Sequence, residues 1–560
     1  MDRQPPSATS DEIDLYIRTY YSLLRSSGDV EVRAFEEAHA YSRSSLHSGA
    51  RDLIPDVAAF AYSAARLPAC MPAIRRVVMG QSNEQFDAAG FPVAGWREVT
   101  TRGRRRPLRW DGSDTLAAFV TSTTDIDDLV PIVTAYQIEW NKMHRAIERA
   151  DVGTPPDDTA LAAAMRLEAA DAGTLRRAFE DRFDRDIAEI QARPCDLTMR
   201  LLAGSFLEYQ RAARRWWRGI EPVYAGRTPR PRPVYFVSSN THALNNLLGG
   251  YANAKRDEIT AFARETNVEG LAPAFDQAIA NGDDGVVANL SYYLLRKFLR
   301  ADPAREAERI AEVQRFDAES GITTIATPGH IDVSVQLIEL SRLEPSRLDP
   351  RLRGRDYSRL RESNAVIVNI DYPLGMAAYH HLSSVAQGVG EIRGIYVMGK
   401  AATLNGKVGD VMISTVAYDE HSQNSYLFRN CFTAADLTDL VVDASVLDNQ
   451  KALTVRGSFL QNREYMSVFY REGYTVLEME AGPYLSAVYE MVYPKRHPKD
   501  EIVHLSNIVP FELGILHYAS DTPYSRRQSL LSKSLSFFGV DATYGCALAI
   551  ARRILDAELA

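Results

Sequence analysis

Three stretches of the chain place residues fit for chemistry where strands are expected to end. In YTVLEMEAGPYLSAVY (474–489) an apolar run through Val476 and Leu477 delivers two carboxylates, Glu478 and Glu480, then breaks at Ala481-Gly482-Pro483 into a helical pattern. About forty residues later, ELGILHYASD (512–521) ends on Ser520-Asp521. Upstream, Met398-Gly399-Lys400-Ala401-Ala402 reads as a small-residue turn, followed by Gly409-Asp410. Such a turn lets a ligand approach the backbone closely, one carboxylate can grip neighbouring hydroxyls, and another can trade a proton. Together they suit a sugar bearing a basic leaving group. Period-two alternation puts Glu478 and Glu480 on one face, so spacing alone does not choose between them.

The elements that must hold these residues follow from periodicity. From about residue 322, short apolar runs at 323–327, 365–370, 394–398, 411–414, 453–460, 475–479 and 513–518 alternate with helical patterns at 374–387, 433–445, 483–493 and 539–557. This predicts an α/β sheet layered by helices. The preceding residues read as mainly helical with a few strands. Ile13, Tyr16, Ile17, Tyr20, Leu23 and Leu24 form one helical stripe, with acidic residues in its first turn and Gly28 past its end. Further helical patterns cover 33–47, 52–66, 121–147, 158–192, 197–219 and 256–318, and strands are expected at 116–120 and 234–237. The expected division is a disordered tail (1–10), a mainly helical domain (11–226), a Pro-rich connector with a strand-helix unit (227–321) and the α/β domain (322–560).

Several features carry a plain reading beside a chemical one. The run TRGRRRPLR (101–109) reads as a solvated loop sooner than a phosphate site. Asp125, Asp127 and Asp128 complement a helix dipole sooner than they hold a metal. Trp216-Trp217 is expected to pack on a neighbouring helix. The turn Ser238-Ser239-Asn240-Thr241-His242 either caps a helix or holds an anion with its N–H groups and hydroxyls. Composition sets outer bounds: Lys plus Arg 64 against Asp plus Glu 73 leaves a formal charge of −9, which argues against a nucleic-acid partner. No apolar run of membrane-spanning length occurs, and Met1-Asp2-Arg3-Gln4-Pro5-Pro6 lacks the apolar core of a signal peptide, so no membrane partner and a cytoplasmic setting are expected. Cys70, Cys195, Cys431 and Cys546 are scattered without zinc spacing, so no metal is expected.

In order and spacing, the C-terminal stretches resemble the nucleoside phosphorylase and nucleosidase superfamily, in its purine, uridine and methylthioadenosine branch. MGKAATLNGKVGDVMIS (398–414) is similar to the family's glycine-rich turn and the strand after it. GSFLQNREY (457–465) followed by REGYTVLEMEAGPYLSAVY is similar to its base-binding segment and Met-Glu strand, and ELGILHYASD to its terminal Ser-Asp strand. The similarity covers about 363–560, and nothing before about 322 carries it. It implies a three-layer α/β/α domain with a mixed central sheet, a small-molecule nucleoside or nucleotide partner, no cofactor and a homo-oligomer. It further implies that Glu480 accepts hydrogen bonds from the ribose hydroxyls, that Asp521 protonates the leaving base with Ser520 orienting it, and that Tyr465 lies against base or sugar. Met479, Gly399, Lys400, Ala401 and Glu478 would complete the binding surface. Cleavage through an oxocarbenium-like transition state needs a base made neutral by a proton, and a positioned acid contributes roughly 10²–10⁴-fold. Asp521 must then hold a proton near neutral pH, which burial among Leu516, Tyr518 and Ala519 would favour.

Two departures bear on the nucleophile. Lys400-Ala401-Ala402-Thr403 replaces the family's Ser/Thr and paired glycines, and Val397 stands where phosphate-using purine enzymes carry an arginine. Lys400 is free to meet a nucleotide's phosphate or a carboxylate, or to pair with Asp410 or Glu391. Hydrolysis is therefore expected over phosphorolysis. The alternatives are inorganic phosphate as nucleophile, non-catalytic nucleotide binding on the same fold, and activity of the front half through its Ser-Ser-Asn-Thr-His turn.

Overall fold

The structure is a computed structural model and describes residues 11–26, 28–150, 158–226, 231–328, 331–442, 444–522 and 538–560. The expected disordered tail and the first residues of the Pro-rich connector (227–230) lie outside the described residues. Two sheets that share no strand organise the α/β chain. The front sheet contains β1 (Val30–Glu31), β2 (Arg76–Gly80), β3 (Arg97–Val99), β4 (Leu108–Trp110), β5 (Thr115–Phe119) and β6 (Thr198–Leu201), in the order β1-β6-β2-β5-β4-β3. Its inner strands RVVMG and TLAAF pair in parallel and are buried along most of their length. Such uniform apolar runs belong to strands covered on both faces.

The covering helices begin with Asp11–Ser26, which buries Ile13, Tyr16, Ile17, Tyr20 and Leu24 as its stripe requires. The long helix Thr123–Ala150 follows β5, and Asp125 ties its start by accepting from the Thr121 amide and hydroxyl, both at 2.7 Å. The span 197–219 is not one helix: TMRL forms β6, and Ser205 then caps a separate helix, Phe206–Ala225. Trp216 of that helix packs edge-on against His381 and donates to Val333 O at 2.9 Å, which is the packing role expected of it.

The back sheet contains β7 (Pro233–Ser239), β8 (Ile322–Ile325), β9 (Val335–Glu339), β10 (Val366–Asp371), β11 (Glu391–Thr403), β12 (Val411–Asp419), β13 (Asn424–Leu427), β14 (Val446–Thr454), β15 (Tyr474–Glu478), β16 (Ile502–His504) and β17 (Glu512–Asp521). Its order is β16-β13-β12-β14-β15-β11-β7-β10-β9-β8, and β17 pairs both β11 and β12. The pairings β11-β15, β15-β14, β14-β12, β12-β17 and β17-β11 close a five-stranded ring beside the open part of the sheet. β11 makes this possible because its first half pairs β7 while its last two residues reach β15.

Four expectations change here. The stretch 398–402 is not a turn: β11 runs through it, with a register shift against β17 between Ala401 and Ala402. Small residues mimic a turn in sequence, yet they also suit a strand that bends where a bulge sits. β7 lies between β10 and β11, so the back sheet draws on residues well before the boundary expected near 322. Within 433–445 the structure forms only a short 3-10 turn, Ala434–Asp436, instead of a helix, and β14 ends at Thr454 instead of running to 460. Among the described residues, no helix is long and apolar enough to cross a membrane, and no group of His, Cys, Asp and Glu could hold a metal ion.

Candidate active site

β7, β10, β11 and β17 run parallel, so their C-terminal ends share one edge of the sheet. That edge is where α/β sheets collect ligands. Pairing fixes the row: Ser239 lies opposite Asp371, Ser238 opposite Val397, and Lys400 opposite Tyr518. Ala402 has two partners, Asp521 on β17 and Leu477 on β15. Asp521 and the strand that leads to Glu480 thus flank a single residue, with backbones roughly 10 Å apart at ordinary strand spacing.

The Ser520 hydroxyl lies 3.0 Å from Asp521 Oδ2 and 3.4 Å from Ala401 O. Glu478 and Glu480 separate sharply. Glu478 is buried, and its Oε2 accepts from the Glu480 and Ala481 amides at 2.7 and 2.6 Å while the Thr454 hydroxyl donates to Oε1. From the end of β15 it takes up amides at the start of the helix Ala481–Val492, and burial raises its pKa against the pull of those amides. Three of its roughly four acceptor sites are already taken inside the protein. Glu480 stands at the N-cap position but makes no side-chain cap bond. Its Oε1 accepts from Gly375 N at 3.1 Å. Burial and the neighbouring Glu478 push its carboxyl up to about 7, opposed by the Gly375 amide and Arg104.

Met479 and Tyr465 pack at the border of a small apolar cluster of Leu404, Leu453, Met466, Phe469 and Leu477, with Ala402 beside them. A Cβ at Gly399 would lie 3.7 Å from the Tyr372 ring, so space does not demand glycine there. Ala401 is buried in the strand, and Tyr372 and Tyr518 share a hydroxyl contact of 3.1 Å. Lys400 pairs with neither of its expected partners. Asp410 instead binds the Lys407 and Ser445 amides, and Glu391 pairs with Arg393. Desolvation lowers the Lys400 pKa even though the side chain is exposed, and the charge of Asp521 opposes it. In the Ser-Ser-Asn-Thr-His turn, the Thr241 and Ala243 amides are taken by Ser239 Oγ and Asn240 Oδ1. Those amides are spent inside the turn. Desolvation lowers the His242 pKa, and Asp371 opposes it.

The arginine run 101–109 is bound into the protein by ion pairs. Arg104 forks onto Asp128 at 2.9 and 2.6 Å, and Arg106 joins Asp125 and the same Asp128, each at 3.0 Å. Arg105 points to the sheet edge, where it pairs with Asp371 and, at 3.3 Å, with Asp332. The solvated-loop reading is thereby overturned: Arg104 and Arg106 fix the loop to the front helix, and Arg105 alone reaches the back sheet. Asp127 extends the seam, accepting from the Tyr20 hydroxyl at 2.5 Å and pairing with Arg456 at 3.3 Å. Arg66 stacks on Tyr62, and its Nε is buried without a hydrogen-bond partner. Desolvation and Arg104 lower its pKa, while Tyr62, Asp128 and Asp521 oppose that. The signal available in sequence was the match of a triple-arginine loop with a triple-aspartate helix start.

Residues 32–556 match the model of DUF6909, described as a family of unknown function. The chain belongs to that family. No curated protein matches it. Solved structures with some likeness include the 5′-methylthioadenosine nucleosidase of Arabidopsis thaliana in its apo form, at 8% identity and a TM-score of 0.30, covering 58% of this chain and 97% of that one. Uridine phosphorylase from Schistosoma mansoni in complex with thymidine gives 11% and 0.28 over 43% of this chain and 80% of its own. A methylthioadenosine phosphorylase from an antarctic soil metagenomic library gives 10% and 0.28 over the same shares, 43% and 80%. At such scores the likeness says nothing about the chemistry of this chain.

Proposed function

We propose that this protein cleaves the N-glycosidic bond of a purine nucleoside or nucleotide by hydrolysis. The observation that carries the proposal is the double pairing of Ala402, which sets Asp521 and the Glu480 segment on either side of one strand at the ligand edge of the sheet. In this reading the ionised Glu480 accepts hydrogen bonds from the ribose hydroxyls. The base packs over Met479 and Tyr465, and Asp521, oriented by Ser520, delivers a proton to the leaving base as the C–N bond breaks. Water adds to the anomeric carbon and releases a proton to solvent. Val397 is buried in β11, so no cation at that position meets inorganic phosphate. A homo-oligomer and a cytosolic setting belong to the same proposal.

One observation favours a second reading, phosphorolysis: Lys400 is exposed beside Asp521 with no ion pair among the described residues. A chromatographic assay of purified protein on a nucleoside and nucleotide panel, with and without phosphate, separates the two. Free base released equally in both buffers supports hydrolysis. Release only when phosphate is supplied assigns the second reading. Tight nucleotide binding without turnover overturns both.

A further inference from the structure

We infer that Thr124, at the start of the long front helix, is a positioning residue for Glu480, so that the front region sets the geometry of the sugar-binding carboxylate. This deepens the proposed function and rests on it for the role of Glu480, though the interlock itself stands on geometry alone. The Thr124 hydroxyl accepts from Met376 N at 2.9 Å and lies 3.2 Å from His421 Nε2. The other ring nitrogen of His421 is 2.9 Å from Asp419 Oδ1, which in a neutral imidazole leaves Nε2 to accept from the threonine. Met376 directly follows Gly375, whose amide holds Glu480 Oε1 at 3.1 Å.

Steric fit ties the same residues together. Gly375 has a φ of +52°, and a Cβ there would lie 2.4 Å from Thr124 Oγ1. Only glycine permits both that backbone and that approach. On the far side, a Cβ at Gly482, in the first turn of the helix after Glu480, would lie 2.5 Å from the Asp419 side chain. Glu480 is thus held between two glycine contacts that meet at one hydrogen-bonded line, Asp419-His421-Thr124-Met376. The charged groups facing Glu480 are Glu478 on its own segment and Arg104 from the front loop. Arg104 in turn is fixed by Asp128, one helical turn after Thr124.

The test compares full-length wild type with Thr124→Val, which removes the acceptor for Met376 N, and Thr124→Ser, which keeps it. The Glu480 carboxyl is followed by NMR in protein labelled with 13C at the glutamate carboxyl, with Glu480→Gln assigning the resonance. Once Met376 N loses its acceptor, the 375–376 backbone is expected to shift and draw the Gly375 amide off Glu480, which removes a bond to the charged form, so the titration midpoint in Thr124→Val is expected to move up by about one pH unit, and in Thr124→Ser to stay at the wild-type value. In the base-release assay, KM is expected to rise about tenfold in Thr124→Val with kcat little changed, and Thr124→Ser to restore it. Should Thr124→Val fail to fold, Thr124→Ala replaces it in both measurements. An unmoved Glu480 titration in the folded variant overturns the interlock. Absence of base release by the wild type counts against the proposed function alone, since the carboxyl titration still decides the positioning claim.

Discussion

At the start of the front helix, Asp125, Asp127 and Asp128 are buried and all are occupied, by Thr121 and Arg106, by Tyr20 and Arg456, and by Arg104 and Arg106. At the edge of the back sheet, Glu480 accepts from the Gly375 amide and Asp521 lies beside the Ser520 hydroxyl, and neither makes an ion pair among the described residues. The outcome for the protons differs accordingly. Against the burial that would raise it, Arg104 and Arg106 hold Asp128 below its ordinary value, whereas burial leaves Glu480 pushed up to about 7. The occupied carboxylates hold the arginine loop to the start of the helix and, through Asp127 and Arg456, the front region to the back, while Glu480 and Asp521 keep lone pairs that no cation takes up.

The sharpest way to break this comparison is at its fastened side. Asp128→Ala strands the Arg104 guanidinium and leaves the almost fully buried Arg106 with Asp125 as its one remaining carboxylate, and is expected to cost about 3 kcal/mol in denaturant unfolding. A loss within the noise of the measurement would show that the arginine hub does not hold the loop to the helix.

The unsaturated side makes the opposite prediction, with a pH signature. The folded-state carboxyl of Glu480 is raised from 4.5 to about 7, so the folded protein keeps a proton that the unfolded chain gives up. Stability from this group therefore falls as pH rises from the lower value to the upper. Glu480→Gln is expected to stabilise the protein at pH 8 by up to about 3 kcal/mol and to change little at pH 4, read from melting curves at both pH values. The same variant is expected to raise KM. Stabilisation that is equal at both pH values would contradict the assignment of the raised pKa.

The smallest expected effect is at Lys400. Under the hydrolytic reading, Lys400→Ala changes base release in phosphate-free buffer by about fivefold or less, as befits an exposed charge. A collapse of activity on this substitution, measured in the same buffer, would move the lysine into the reacting centre.

Part of this arrangement is legible in the sequence. β10, β15 and β17 are apolar runs that end on polar residues, and they form where the alternation places them. β7 is legible as a strand but its place is not, because its partners β10 and β11 lie far along the chain. Gly399-Lys400-Ala401-Ala402 carries turn-like residues inside a strand, since the bulge that accommodates them depends on β17. Glu478 and Glu480 are equivalent by spacing and differ only once the helix after them turns back its amides. The arginine run hides its role for the same reason: the charges that neutralise Arg104 and Arg106 sit on a helix whose approach only the folded chain reveals.

The central claim is that Asp521, left unsaturated at the sheet edge, carries the proton to the leaving base. Single-turnover base release by Asp521→Asn beside wild type tests it most directly, with a melting curve to confirm that the variant is folded. The account predicts a loss of about 10²-fold or more at an unchanged melting temperature. Base release at the wild-type rate from folded Asp521→Asn would contradict it.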